Sequence, residues 1–319
     1  MTYAVLALTK IIAEEAMPGT EVRITHGPYT AVVTTRGGAL RELRCGDRNL
    51  VVGFGPEGGV PDYRGVICAP WPNRLADGAY SYAGQSYSAA INEPERGSAL
   101  HGLAIHQAWD IVEASTDRVV LGCRVPAGPG YPGSLELTVA YSLSDDGLRG
   151  TVTAVNTGTR AAPYGVCPHP YLVAGAAPLD DWSLELPAAA YLEVTPDRLL
   201  PVAVRQVEQD AFDFRLPHRL GPVRIDHAFT GISRDAAGLA RVRVMDPSGT
   251  GVELEWGPEW PWVQVHTGDK PVGPDRLGLA VEPMTCPPDA FNSGTDLIHL
   301  EPGESHSAGW TIRAVDRRG

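Results

Sequence analysis

The chain has 319 residues, 43% of them hydrophobic and 20% charged, a composition that suits a globular protein with a sizeable core and fits neither a fibre nor a membrane protein. A formal net charge of −12 with no basic run speaks against a nucleic-acid partner, since phosphate binding relies on Lys and Arg. The 36 glycines and 28 prolines call for many tight turns, as a β-rich fold would need.

The stretch from Met1 to Ile12 is mildly apolar, but it lacks a basic start, is broken by Lys10 and runs into Glu14 and Glu15. It therefore does not read as a secretory signal, and residues 1–20 are expected to form an extension, helical or loosely attached. No run approaches the roughly 18 apolar residues of a membrane span, so a soluble protein without a membrane partner is expected. Five cysteines, widely separated and without a CxxC pair, indicate neither a disulfide framework nor a zinc cluster. They read as reduced thiols in a cytoplasmic protein.

From there period-two alternation dominates. Tyr80-Ser81-Tyr82 turns at Ala83-Gly84 and returns through Tyr87. Leu135, Leu137, Val139, Tyr141 and Leu143 alternate with polar residues, which predicts a strand. The turn signal Asp145-Asp146-Gly147 then leads into a second strand over Leu148 to Asn156, making a hairpin. Trp182–Leu186 reads as a short strand. Ala240–Met245 pairs with Gly251–Trp256 across residues 246–250, and Trp310–Val315 closes the series. No long helical stripe follows residue 20, so the class is all-β, with antiparallel sheets packed face to face in one domain from residue 21 to residue 319.

Three polar spots sit awkwardly in such strands. Prolines flank His169 on both sides, denying it a central strand and holding it extended; the plain alternative is a loop histidine capping a carbonyl. Leu277, Leu279 and Val281 lead to Glu282, read as a carboxylate at a strand end before a proline-rich loop, where salt-bridge or capping roles are the ordinary ones. In Leu100-His101-Gly102 the glycine would permit close approach of backbone or ligand. Together they offer imidazoles and a carboxylate from distant parts of the chain, as general acid–base catalysis in a shared pocket needs. Metal binding is the rival reading, weakened by the absence of HExxH and EF-hand patterns. No GxSxG elbow or Gly-rich phosphate loop is present.

In order along the chain stand Ala69-Pro70-Trp71-Pro72-Asn73-Arg74-Leu75 with Gly78-Ala79-Tyr80, Leu100-His101-Gly102 with Trp109, and His169-Pro170-Tyr171-Leu172. Asp226-His227-Ala228-Phe229, Val263-Gln264-Val265-His266-Thr267-Gly268, Glu282-Pro283, Pro288-Asp289-Ala290-Phe291-Asn292 and Leu300-Glu301-Pro302-Gly303-Glu304 follow. Through this ordered set the chain resembles the aldose 1-epimerase (galactose mutarotase) family from Glu21 onward. The resemblance implies a large antiparallel β-sandwich of the galactose mutarotase-like (supersandwich) type, with the sugar in an open cleft. It implies interconversion of the α and β anomers of a free aldose, with His169 as general acid to the ring oxygen and Glu282 as general base to the anomeric hydroxyl. Arg74, His101 and Asp226 would hold sugar hydroxyls, and Asn73 and Gln264 would line the cleft.

On this reading the partner is a small aldose sugar, neither metal nor cofactor is needed, and the protein is a monomer or homodimer. His106, His227 and His266 are bystanders, and one of Trp260 and Trp262 is a candidate to face the cleft. Val265 and His266 replace aromatic residues often found after this glutamine in the family. The alternatives are an epimerase acting on a phosphorylated or otherwise substituted hexose, which would want several cations around the cleft, and a non-catalytic sugar-binding protein on the same fold. Retaining glycoside hydrolysis would require two reacting carboxyl groups, and only Glu282 is so placed.

Overall fold

The computed structural model describes residues 19–270 and 275–316, so residues 1–18 of the expected N-terminal extension lie outside the described residues. The expected hairpins are present. Leu135–Ser144 pairs with Gly147–Asn156 in a register that opposes Ser144 to Gly147, leaving Asp145 and Asp146 as a two-residue turn. Leu135, Leu137, Val139, Tyr141 and Leu143 all point inward, as their alternation predicts. Ala79–Tyr82 pairs with Gln85–Ser88, and Ala240–Met245 with Thr250–Trp256. The last strand, Ser305–Asp316, begins five residues before Trp310.

Two antiparallel sheets carry the architecture, one of nine strands and one of six. Val139, Val152 and Leu254 from the first and Val263, Val265 and Val281 from the second belong to one continuous apolar cluster, so the sheets share a core in the manner of a sandwich. Helix is confined to the single turn Ala290–Ser293 and three 3-10 turns among the described residues. None of these is long and apolar enough to cross a membrane.

The six-stranded sheet positions the site. Its strands run in the order Tyr171–Leu172, Leu279–Met284, Trp262–His266, Asp226–Ile232, Ala188–Val194 and Pro201–Gln206. Val263, Val265, Leu279 and Val281 face the shared core, so the pleat sends Gln264, His266 and Glu282 to the opposite face. Gln264 lies directly opposite Glu282, and His266 opposite Asp226. Glu282 thus sits within its strand rather than at its end, and Pro283 is paired with Val263. The proline is accommodated inside the strand because the neighbouring 166–170 segment is held from either side of it, by the backbone N–H of Val281 on Pro170 and that of Thr285 on Val166, so a single missing donor does not part the two chains.

Loops complete the platform. His101 and Gly102 both have positive φ, 63° and 74°, and a Cβ on Gly102 would lie 2.3 Å from the carbonyl oxygen of Ala69. The glycine therefore serves a close approach of backbone that sets the turn carrying His101. Gly102→Ala is expected to destabilise the fold by about 2 kcal/mol or more, read as a lowered urea midpoint at unchanged slope; an unaltered midpoint would remove this role.

Candidate active site

A cleft of about 190 Å³ opens on the polar face of the six-stranded sheet, lined by Asp62, Tyr63, Asn73, Arg74, His101, His169, Tyr171, Asp226, Gln264, His266 and Glu282, with Leu100. All seven residues named from the sequence converge there: His169, Glu282, Arg74, His101, Asp226, Asn73 and Gln264. Asp62, Tyr63, Tyr171 and His266 also reach it and carried no expected role. His266 is thus no bystander; His106 and His227 do stand away from the cleft, and neither Trp260 nor Trp262 enters it.

At the floor, Nε2 of His169 lies 3.3 Å from Oε1 of Glu282, and both residues are almost fully buried, with 4% and 2% of their surface exposed. The carboxylate stands among apolar neighbours, since Cys68, Cys167, Ala228, Trp262 and Met284 form a second buried cluster. Burial pushes Glu282 well above the ordinary carboxylate range; the charge of Asp226 adds to this, while a hydrogen bond from Cys167 and the charge of Arg74 oppose it. Burial likewise pushes His169 down, to about 4. Each group alone favours its neutral form, so the pair as a unit holds one proton over a wide pH range.

Nδ1 of His169 and Oε1 of Gln264 are buried and without a hydrogen-bond partner, although buried polar atoms in folded proteins are nearly always paired. Both residues line the cleft. Gln264 spends its amide N–H on Oδ1 of Asp226, at 2.6 Å, which leaves its carbonyl oxygen as the acceptor. His101 accepts the backbone N–H of Asn73 at Nδ1, 3.3 Å away, and burial, reinforced by the nearby His169, holds it well below the usual histidine range. A neutral ring whose Nδ1 accepts must carry its proton on Nε2, so His101 is a fixed donor.

Arg74 begins the strand Arg74–Ala76 and is clamped by a carboxylate that the sequence reading did not single out. Its Nε and Nη2 each donate to Glu93 at 2.8 Å, and Nη1 lies 3.9 Å from Asp226. Burial alone would lower the guanidinium, but the bidentate pairing with Glu93 together with the charges of Asp226 and Glu282 outweighs it. Asn73 accepts the backbone N–H of Arg74, and Asp289 accepts the backbone N–H of Ala76 from the segment that also packs Phe291 against Trp71 and Tyr80. The segment 289–291 is thus a brace for the Arg74 strand. At the rim, Asp62 binds both Lys270, at 2.6 Å, and Arg64, at 2.7 Å. Its positive φ and that of Tyr63 turn Tyr63 onto His101, with ring centroids 4.8 Å apart.

The arrangement offers fixed donors, fixed acceptors and one proton-sharing imidazole–carboxyl pair in a cleft on one face of a β-sandwich. A family model described as aldose 1-epimerase matches residues 20–313, and the chain belongs to that family. It is 37% identical, over 90% of its length and 91% of the relative's, to YihR of Escherichia coli K12, itself uncharacterised. It is 27% identical to the galactose mutarotase of Mus musculus, covering 85% of this chain and 86% of that one. Among solved structures, a GalM/aldose epimerase homologue from C. elegans superposes with a TM-score of 0.83 at 19% identity, over 94% and 100% of the two chains. The galactose 1-epimerase of Lactobacillus acidophilus gives 0.80 at 20%, over 94% and 95%; both share the fold.

The Arg74–Glu93 clamp is nearly closed to water, so removing one partner strands the other. Glu93→Ala is expected to cost about 3–5 kcal/mol of stability by urea unfolding, whereas a loss below about 1 kcal/mol would class the pair with surface bridges.

Proposed function

We propose that the protein is an isomerase, an aldose 1-epimerase that interconverts the α and β anomers of a free aldose by ring opening and closure. The carrying observation is the 3.3 Å contact between Nε2 of His169 and Oε1 of Glu282 at the base of a polar cleft. O1 and O5 of a pyranose are bonded to the same carbon, so a group that accepts at one and a group that donates at the other must be near neighbours.

Glu282, ionised, takes the proton of the anomeric hydroxyl; the O1–H electron pair becomes the second bond of the C1–O1 carbonyl, C1–O5 breaks, and O5 takes the proton of protonated His169. The open chain then faces a neutral imidazole and a neutral carboxylic acid. Rotation about C1–C2 and the reverse transfers close the other anomer. Opening thus converts the ionic arrangement of the pair into the neutral one that burial favours, with the total proton count unchanged. Arg74, His101, Asp226, Asn73 and Gln264 hold the hydroxyls, the imidazole Nε2–H and guanidinium as donors, the carboxylate and amide oxygen as acceptors.

A phosphorylated hexose has less support. Arg74 is the one permanent cation among the described lining residues, and it is engaged by Glu93; Arg64 and Lys270 are engaged by Asp62. A non-catalytic sugar binder would have no use for a buried, strained pair of titrating groups. The reading carries with it a cytoplasmic location, a single domain from residue 21 onward and no cofactor.

Purified protein is expected to accelerate the change in optical rotation of a freshly dissolved aldose, faster on glucose than on glucose 6-phosphate. Glu282→Ala or His169→Ala should each lower the rate about 10²- to 10⁴-fold with the fold retained by circular dichroism; wild-type rates in both would end the assignment. The pH profile should also be informative. The active pair holds one proton and gains a second only as pH falls toward the lowered value of His169, about 4. On the acid side the rate should therefore fall to half only near pH 4, and an acid-side half-loss near an ordinary histidine value of about 6.5 would contradict this account.

A further inference from the structure

Glu282 has two carboxylate oxygens and they face different groups. Oε1 meets His169, and Oε2 meets the thiol of Cys167, with Sγ 3.7 Å away and donating. Cys167 sits in the two-residue strand Cys167–Pro168, paired in antiparallel register with Ile67–Cys68 so that Cys167 lies opposite Cys68. Both cysteines are fully buried in the apolar cluster around the carboxylate. The thiol is thus the sole hydrogen-bond donor found for Oε2 among the described residues.

We propose that Cys167 is a positioning residue for the acid–base pair: its S–H donates to Oε2 of Glu282, fixing the carboxyl plane so that Oε1 faces His169 and the sugar, and favouring the ionised form the reaction needs. The role rests on the acid–base reading above. A thiol is a weak donor, which fits the task. A stronger donor would hold the carboxylate ionised and leave it a poor acceptor for the anomeric proton, while an apolar side chain would leave Oε2 bare in an apolar cluster.

The other groups acting on Glu282 define what has to be kept constant. They are His169 in contact, Asp226 raising it, Arg74 lowering it, and Tyr171 and Cys68, each of which feels the carboxylate's charge. Gln264 lies across the strand pair as a neutral neighbour. Cys68 and Cys167 are themselves held well on the neutral side by burial, so they act as thiols and not as charges.

The test is an infrared titration of the protein without sugar, following the protonated carboxyl C=O band that Glu282→Gln removes. Cys167→Val and Cys167→Ala, both without a donor and differing in volume, are expected to move the midpoint of that band up by about half to one pH unit. Cys167→Ser, which keeps a donor and a stronger one, should not move it up, and Val66→Ala, which opens a hole in the same buried cluster but leaves the Cys167–Cys68 hydrogen bond alone, should leave it in place. In mutarotation assays the two donor-free variants should lose about 3- to 10-fold in kcat with KM within twofold, because fewer pairs occupy the ionic arrangement. An unmoved midpoint in both donor-free variants, or an equal movement in Val66→Ala, would overturn the proposal. The infrared arm needs no turnover, so a wild-type protein without mutarotase activity would end the proposed function and be read separately.

Discussion

The structure turns on the removal of water from one imidazole and one carboxyl group that touch. Each is driven toward its uncharged state by burial, and neither is relieved by a strong permanent counter-charge in direct contact. Such a pair costs stability, and proteins keep the cost where chemistry uses it. In the proposed reaction that cost enters the reaction coordinate: the cyclic sugar would meet the arrangement with two opposite charges and the open chain the arrangement with none, so desolvation would help to break the C1–O5 bond rather than only sharpen a binding site.

The surrounding residues make sense as a frame for that pair. Glu93 fixes the Arg74 guanidinium through both of its nitrogen edges, and Asn73 fixes the tautomer of His101. Gln264 is fixed by Asp226. Donors and acceptors are therefore set before a ligand arrives, and little ordering remains to be done on binding.

Much of this was legible in the sequence because strands advertise themselves locally. Alternation at 135–143 gave the strand and its inward face, and the two-residue turns gave the hairpins. His169 and Glu282 stood out since each breaks a local rule, a histidine locked between prolines and a carboxylate in an apolar run. The position of Glu282 is not legible locally for a physical reason: Pro283 looks like a strand terminator, and only the backbone bonds that Val281 and Thr285 make on either side of it carry the strand through. Glu93, Asp62 and Tyr63 carry no local mark at all. They lie in loop sequence that looks solvated, and their roles arise from packing against Arg74, Lys270 and His101. His266 had a signal that went unused, since it alternates with Val265 in the same phase as Gln264.

That phase has a consequence for how such a chain can change. Gln264, His266 and Glu282 share a face because a strand turns over at every residue, and Asp226 is held to them by its register with His266. Gain or loss of one codon within 262–266 or 279–284 would invert every downstream side chain in that strand, burying polar groups and exposing valines in the same stroke. The turns that bring Tyr63, Arg74 and His101 to the cleft obey no such parity, since their reach depends on loop shape. Descent can therefore remodel the mouth of the cleft piecemeal, by length as well as by substitution, while its floor is open to substitution alone.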